Sequence, residues 1–351
     1  MSLLSPASAI KIEPLRCLRI EHVSNECSKC IDSCPVEAIG LSTSRRISLE
    51  STKCIGCMSC IGVCPAETLV YPDFDPAVFV LQTGVKKDIT LSCKNNNACL
   101  SIFSSENLIS LGLRHESVNC DMSLCSECDM NVGGKAAEII AEHIKEANKF
   151  LQAVNKPLLV ISKKKNELSR REALFSFVKD VNTLRNEESF DTLFDSKETL
   201  PKSRIVFQNS LKLAIEELPT EPIIDKFTFI SHKQIDFVSC DNCGDCIQFC
   251  PTKALLYSSD KTKILFQPLR CIACGICDDV CKPKAINSGN ELDIVTLAFN
   301  RAELLIEHHF EVCTECRVSF PQKGNEKICT RCESFVHDHS DLFALARDIK
   351  I

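Results

Sequence analysis

The sequence predicts a multidomain chain of mixed α+β and α/β class: two small cysteine-rich modules that repeat one another, a small central parallel α/β unit, and a C-terminal segment built on two cysteine knuckles. Three observations predict it. The 25 cysteines fall into four groups, with eight in 17–64, five in 93–128, eight in 240–281 and four in 313–332. The first and third groups share a spacing, which marks an internal duplication. Between them, residues 89–162 alternate short β-type runs with helical stretches, the pattern of a parallel sheet.

Composition narrows the class. A chain of 351 residues has room for two or three domains. It has no Trp, two Tyr and 19 Phe, so its cores must be aliphatic with Phe as filler, and small modules of this kind lean on bound metal to fold. A secreted disulfide scaffold is a short chain behind a signal peptide. The opening MSLLSPASAIKIEP has neither a basic n-region nor a continuous apolar h-region, and no uncharged apolar run reaches membrane-spanning length. The expectation is a soluble cytoplasmic protein with reduced, metal-ligating thiols and no membrane span. A formal net charge of −6 argues against nucleic acid as a partner.

The elements follow in chain order. The first module, residues 1–80, carries CLRIEHVSNECSKCIDSCP (17–35) and CIGCMSCIGVCP (54–65). The second run has cysteines at C-x2-C-x2-C-x3-C. In the first run Cys27, Cys30 and Cys34 keep the closing part of that spacing, but the preceding cysteine, Cys17, is ten residues before Cys27. The central unit, 85–165, reads as strand ITLSC (89–93), helix SENLISLGLR (105–114), strand SVNC (117–120), helix 134–154 and strand PLLVIS (157–162), with Cys93 and Cys120 at strand ends, where ligands of a parallel sheet gather.

Residues 166–232 read as a charged helical connector. Ser169 and Glu172 form a capping-box pattern ahead of ALFSFVKDVNTL, and a capped helix is a better reading of SRREALF than a twin-arginine export signal buried 168 residues into the chain. RIVF (204–207) suggests a strand and LKLAIEEL a helix. The second module, 233–290, holds two full runs, CDNCGDCIQFCP (240–251) and CIACGICDDVCKP (271–283). Three thiolates on one tight loop can grip three corners of a cubane, while the fourth points elsewhere.

These residues resemble the bacterial two-[4Fe-4S] ferredoxin family. The resemblance implies one cluster on Cys240, Cys243, Cys246 and Cys281 and a second on Cys271, Cys274, Cys277 and Cys250. Lys282 stands where the family places proline, which is expected to shift the loop exit without removing a ligand. By the same logic Cys54, Cys57, Cys60 and Cys34 hold one cubane of the first module. Cys27, Cys30 and Cys64 then need a fourth thiolate. Cys17 is the candidate, because loop closure depends only slowly on length, and a half-buried structural cysteine is the alternative. CLRIEHVSNEC also resembles the opening of larger multi-cluster ferredoxin-type proteins encoded with molybdenum enzymes. The insertion LRIEHVSNE would overhang one cluster and offer a docking surface.

Cys93, Cys99, Cys120, Cys125 and Cys128 match no standard run and loosely resemble the iron–sulfur delta subunits of some hydrogenases, which implies a fifth cluster. Structural zinc and redox-active thiols remain open, and Cys120 is the weakest of the five as a ligand. Residues 291–351 are read as a helix plus a zinc-ribbon-like segment. There the knuckles Cys313/Cys316 and Cys329/Cys332 flank PQKGNEK, read as a hairpin turn, and suit tetrahedral zinc, with a rubredoxin-type iron site as rival. His337 and His339 are expected to be solvated. No nucleophile elbow, phosphate loop or dinucleotide fingerprint occurs, so no catalytic residue is named. The expected function is a polyferredoxin passing single electrons to or from a partner oxidoreductase such as a molybdenum-dependent dehydrogenase or hydrogenase. The alternative is a maturation or redox-sensing accessory of such an enzyme.

Overall fold

A computed structural model describes residues 10–22, 25–96, 98–163, 194 and 200–338. The helix read behind Ser169 and Glu172 and residue His339 lie outside them. The first module is framed by β1 (Lys11–Ile12), the hairpin β2 (Ile39–Leu41) and β3 (Ile47–Leu49), and β4 (Leu69–Val70). β1 pairs antiparallel with β4, Ile12 opposite Leu69, and β2 pairs with β3. The four short strands clip the ends of the cysteine runs together, leaving the runs as loops with single helical turns.

Helix α1 (Pro76–Gln82) leads out of this module, with Asp75 accepting from the N–H groups of Ala77 and Val78. Then come β5 (Lys86–Ser92), α2 (Ser105–Arg114), β6 (His115–Asp121), α3 (Lys135–Ala153) and β7 (Val160–Ser162). The three strands form one parallel sheet in the order β5-β6-β7. Ser104 caps α2 in a reciprocal box with Asn107, which fixes where the helix starts. Helix α3 buries Ile140, Ile144, Ala147 and Leu151 at helical spacing. Gly112 of α2 lets α3 pack closely, since a Cβ there would stand 2.5 Å from Leu151 Cδ1 and force that side chain to shift.

The strand read at RIVF is instead part of α4 (Lys202–Ala214). Val206, Phe207, Ser210, Leu211 and Ala214 are buried along it, a helical period that a four-residue apolar run could not reveal. The helix is built into the core. Phe207 meets Phe150 and Phe229 edge-on, and Arg204, 0 % exposed, pairs with Glu106 of α2 at 2.5 Å.

After β8 (Ile223–Ile224), the second module repeats the first. β9 (His232–Ile235), the hairpin β10 (Leu255–Tyr257) and β11 (Lys263–Phe266), and β12 (Ile286–Gly289) pair as β9 with β12 and β10 with β11. The chain then continues as β13 (Glu291–Leu292), which pairs with β8, α5 (Ile294–Phe299) and β14 (Glu303–Glu307). β14 adds to the free edge of β11, so residues 303–307 extend the module's sheet beyond residue 290.

Last come β15 (His309–Val312), paired with β16 (Ser319–Gln322), and α6 (Thr330–Asp338). The turn between the paired strands carries Cys313 and Cys316. PQKGNEK therefore does not turn a hairpin; it finishes β16 and leads to α6, which carries Cys332. No helix among the described residues is long and apolar enough to cross a membrane.

Candidate iron–sulfur and metal centres

All 25 cysteines lie within the described residues and none is in a disulfide. In each run the third cysteine sits on a one-turn helix: Lys29–Asp32, Ser59–Gly62, Asp245–Gln248 and Ile276–Val280. The loop before that helix curls through paired left-handed residues: Gly56 and Met58, Asn242 and Gly244, Ala273 and Gly275. Met58 and Ala273 hold a conformation unfavourable to them, so the surrounding loop must enforce it. The first run departs here. Ser28, in the corresponding position, has φ −126°, and the loop is held instead by Asn25 Oδ1 accepting from Cys27 N–H at 3.1 Å and by Arg19 Nε donating to the Cys27 carbonyl at 2.6 Å.

One turn occurs four times after the closing cysteine. The N–H four residues on donates to the sulfur: Ala38 to Cys34 at 3.2 Å, Thr68 to Cys64 at 3.3 Å, Ala254 to Cys250 at 3.1 Å and Ala285 to Cys281 at 3.2 Å. The residue between is left-handed each time, namely Glu37, Glu67, Lys253 and Lys284. An amide aimed at sulfur favours its anionic form. Lys282 does not shift the loop exit: it occupies the place of Pro251 and the turn closes as in the other three runs.

A second fourfold contact pairs the runs. The residue four before an opening cysteine donates its N–H to the carbonyl of the residue four after a closing one: Glu13 to Thr68, Glu50 to Ala38, Asp236 to Ala285 and Gln267 to Ala254, at 2.7, 2.8, 2.8 and 2.8 Å. Cys17 is thereby matched with Cys64, Cys54 with Cys34, Cys240 with Cys281 and Cys271 with Cys250. Cys17 also ends a 3-10 turn Pro14–Arg16 at φ −71°, ψ 126°, and Cys271 ends the turn Pro268–Arg270 at φ −77°, ψ 118°. The tetrapeptide PLRC, present twice in the sequence, at 14–17 and 268–271, is the sequence signal of this equivalence.

The thiols crowd largely in the same sets, with Cys30 and Cys60 close across the two sets of the first module. Burial pushes Cys30 up to about 12, followed by the negative charges of Cys64, Cys27 and Cys17. Burial pushes Cys246 up to about 12, with Cys243, Cys240 and Cys281 next, and does the same to Cys274, with Cys271 and Cys250 beside it. Cys60 is raised by burial and then by Cys57, Cys30, Cys54 and Cys34. Four crowded thiols, in each set some of them buried, cannot ionise together without a cation among them. Their number, their inward amides and their mutual repulsion fit a thiolate-ligated cluster that takes up this charge.

The modules meet at an apolar joint. Leu18, Ala66, Ile272, Ile276 and Val280 are buried together, with Cys27, Cys64, Phe249 and Cys274 packed around them. His22 lies edge-on to Phe249 at 5.0 Å. The described part of the insertion after Cys17 is thus seated against the second module, not left overhanging as a free surface. Beside the Cys271 set, Lys233 is nearly buried and its Nζ lies 2.8 Å from Asp278. Burial works against its charge, but Cys277 and Asp278 outweigh that and raise its pKa.

Of the five central cysteines, four come together. Cys93 and Cys125 follow the ends of β5 and β6. Burial raises Cys125 to about 11, and Cys99, Cys93 and Cys128 are the next contributors. Cys120 does not join them. It sits within the middle strand, opposite Leu91 and Ile161, and burial alone raises it to about 12.

Cys313, Cys316, Cys329 and Cys332 differ in kind. Their sulfurs all lie within 4.8 Å of one another, the one group of three or more metal-type donors so compact among the described residues. Cys316 and Cys329 are 3.8 Å apart. A tetrahedral ion with bonds of about 2.3 Å sets its sulfurs about 3.8 Å apart, whereas a cubane holds them wider. Burial raises the Cys313 thiol, but backbone N–H donors of Cys316, Cys329 and Glu315 outweigh it and bring it down to about 6. His337 is 88 % exposed, as a solvated residue should be.

The 4Fe-4S dicluster domain family matches the chain twice, at residues 25–68 and 232–282. A ferredoxin of Methanothermococcus thermolithotrophicus is 30 % identical over 44 residues, which are 12 % of this chain and 73 % of that protein. The chain belongs to the ferredoxin family, as a multi-cluster ferredoxin-type protein. A second relative of this ferredoxin-type chain is the "Ferredoxin-type protein NapH" of Haemophilus influenzae, 33 % identical over 75 residues, 20 % of this chain and 26 % of that one. The chain thus spans about a quarter of that relative's length. Iron–sulfur electron transfer is the activity the family brings.

Proposed function

We propose that this ferredoxin-type protein is a cytoplasmic single-electron relay with four [4Fe-4S] clusters. Their ligands are Cys17, Cys27, Cys30 and Cys64; Cys34, Cys54, Cys57 and Cys60; Cys240, Cys243, Cys246 and Cys281; and Cys250, Cys271, Cys274 and Cys277. The observation that carries this reading is the fourfold backbone contact from four residues before an opening cysteine to four residues after a closing one. It supports Cys17 as a ligand although the first family match begins only at residue 25. When bound, each cluster accepts and donates one electron. The chain's own part is to bury the thiolates, aim amides at their sulfurs and close the apolar joint between the modules.

The partner in this reading is an oxidoreductase, and the relative's printed name, a ferredoxin-type protein, favours a redox accessory of such an enzyme over a free-standing catalyst. A molybdenum-dependent dehydrogenase or a hydrogenase suits the chemistry. At Cys313, Cys316, Cys329 and Cys332 the compact tetrahedral spacing supports one structural zinc. The test is anaerobic redox titration of the purified full chain with iron and sulfide analysis. About 16 irons in the two modules and reversible uptake of about four electrons are expected. A chain that holds iron but takes up no electrons reversibly would sink the relay.

A further inference from the structure

We propose that Cys93, Cys99, Cys125 and Cys128 ligate a further iron–sulfur cluster, at the carboxyl edge of the parallel sheet and beside the Cys34, Cys54, Cys57 and Cys60 set, and that Cys120 takes no part in it. The parallel register, Ser92 opposite Asp121, brings the ends of β5 and β6 level. Cys93 is the first residue beyond β5, and Cys125 and Cys128 lie on the loop that leaves β6. Edges of this kind gather ligands because several loops leave a parallel sheet on one side.

These loops are tied down by their own polar contacts. Ser92 Oγ donates to Asp121 Oδ2 at 3.1 Å, and Asp121 Oδ1 accepts from the N–H of Ser123 at 3.0 Å. Asn131 Nδ2 donates to the Cys125 carbonyl at 2.8 Å while its Oδ1 accepts from Ala137 N–H at 3.0 Å, pinning the C-x2-C loop to the start of α3. Cys93, Cys99 and Cys125 are packed against the core that the central unit shares with the first module.

The spacing argues for a cluster over a single ion. Among the described residues, metal-type donors close to within 4.8 Å as a group at Cys313 to Cys332, and these four thiols do not. They share this wider spread with the ferredoxin sets, although the electrostatics place Cys99, Cys93 and Cys128 about Cys125. The position is equally specific. After Cys99 the chain makes the buried turn Leu100–Ile102, where Ser101 Oγ donates to the Cys57 carbonyl and a Cβ on Gly62 would overlap the Ser101 carbonyl oxygen. Cys57 is in turn among the charges acting on Cys99. This site is therefore continuous with the first module, and it rests on the relay reading only in taking that module to hold clusters.

The experiment is iron, sulfide and zinc quantification on anaerobically reconstituted full-length chains: wild type, the double variant Cys125→Ser/Cys128→Ser, and Cys120→Ala. Wild type is expected to hold iron beyond the roughly 16 of the two modules. The double variant should lose that excess and keep about 16, while Cys120→Ala retains everything. Wild type at about 16 irons, with or without a second zinc, overturns the proposal and leaves the relay standing, as does a double variant with wild-type iron. Iron missing from the modules of wild type overturns the relay instead. Should the double variant fail to fold, the wild-type count alone decides.

Discussion

The backbone N–H of Glu13 donates to the carbonyl oxygen of Thr68 at 2.7 Å, and that contact sets Cys17 in the place that Cys54, Cys240 and Cys271 hold in the other runs. The ten-residue gap to Cys27 leaves this register intact, because the strands pair ahead of the cysteine and the extra chain loops out after it. Replacing Cys17 with Ser should therefore cost about one cluster, or four of roughly 16 irons, with the other modular clusters retained. Iron analysis with spin-quantified electron paramagnetic resonance reads this directly. A variant keeping the wild-type signals would remove Cys17 from the ligand set.

Lys233 is a buried cation beside the Cys271 set, held by Asp278 and Ser288. A fixed positive charge favours the more negative, reduced form of a cluster beside it. In Lys233→Met the cluster bound by Cys271 should become harder to reduce, its midpoint falling on the order of tens of millivolts. Potentiometric titration checks this, and an unchanged midpoint for every cluster would show that Asp278 already neutralises the lysine.

Much of the site was legible because cluster ligation demands cysteines at fixed spacing, and spacing survives in one dimension. The central alternation of strands and helices was legible for a similar reason: Ser104 and Asn107 cap α2, and α3 keeps its apolar stripe for 19 residues. RIVF was not, since four apolar-rich residues carry no period. Glu67 was also invisible. It follows Cys64 in the closing turn and accepts from the N–H groups of Lys202 and Ser203, so it caps α4 from 135 residues away in sequence. The joint made by Leu18 and Ile276 likewise depends on a docking of modules that no local pattern announces.

The pair Arg204 and Glu106 lies in the helical core, with Ser203 Oγ also donating to Glu106 and Arg204 donating to the Phe229 carbonyl. Removing one buried partner strands the other charge, which typically costs about 3–5 kcal/mol. Glu106→Gln should lower the anaerobic denaturant midpoint accordingly, while Glu106→Gln/Arg204→Met recovers a large part of the loss. If the single variant unfolds with wild type, the pair contributes nothing to stability.

Cluster loading should be linked to pH. In the metal-free chain burial and neighbouring sulfurs hold Cys30, Cys246 and Cys274 protonated, up to about 12. Folded thiols raised in this way bind protons more tightly than unfolded ones, so the metal-free fold loses stability as pH rises above 9.0, the ordinary thiol value. Cluster binding needs thiolates and expels those protons, so it is favoured in the same direction. Reconstitution yield should rise between about pH 7 and 8.5, with about four protons released per cluster in a weakly buffered titration. Proton release near zero would mean that the thiols were already ionised.

The C-terminal knuckles provide a separate handle, because an ion held there would draw on none of the proposed cluster ligands. Cys313 lies at the turn between β15 and β16 and its sulfur accepts from Cys329 N–H at 3.3 Å, so the two knuckles close on each other through a backbone contact before any ion is counted. Lys323, just past β16, donates to the Val238 carbonyl ahead of Cys240, which seats this segment on the second module. One zinc per chain should survive anaerobic purification, and cobalt in its place should show thiolate-to-metal charge transfer of a tetrahedral site. Cys332→Ser removes one ligand of four: zinc should fall well below one per chain while iron and sulfide stay at wild-type values. Iron in place of zinc in wild type would make the site rubredoxin-like, and loss of cluster iron together with the zinc would show that the knuckles are needed to hold the second module closed.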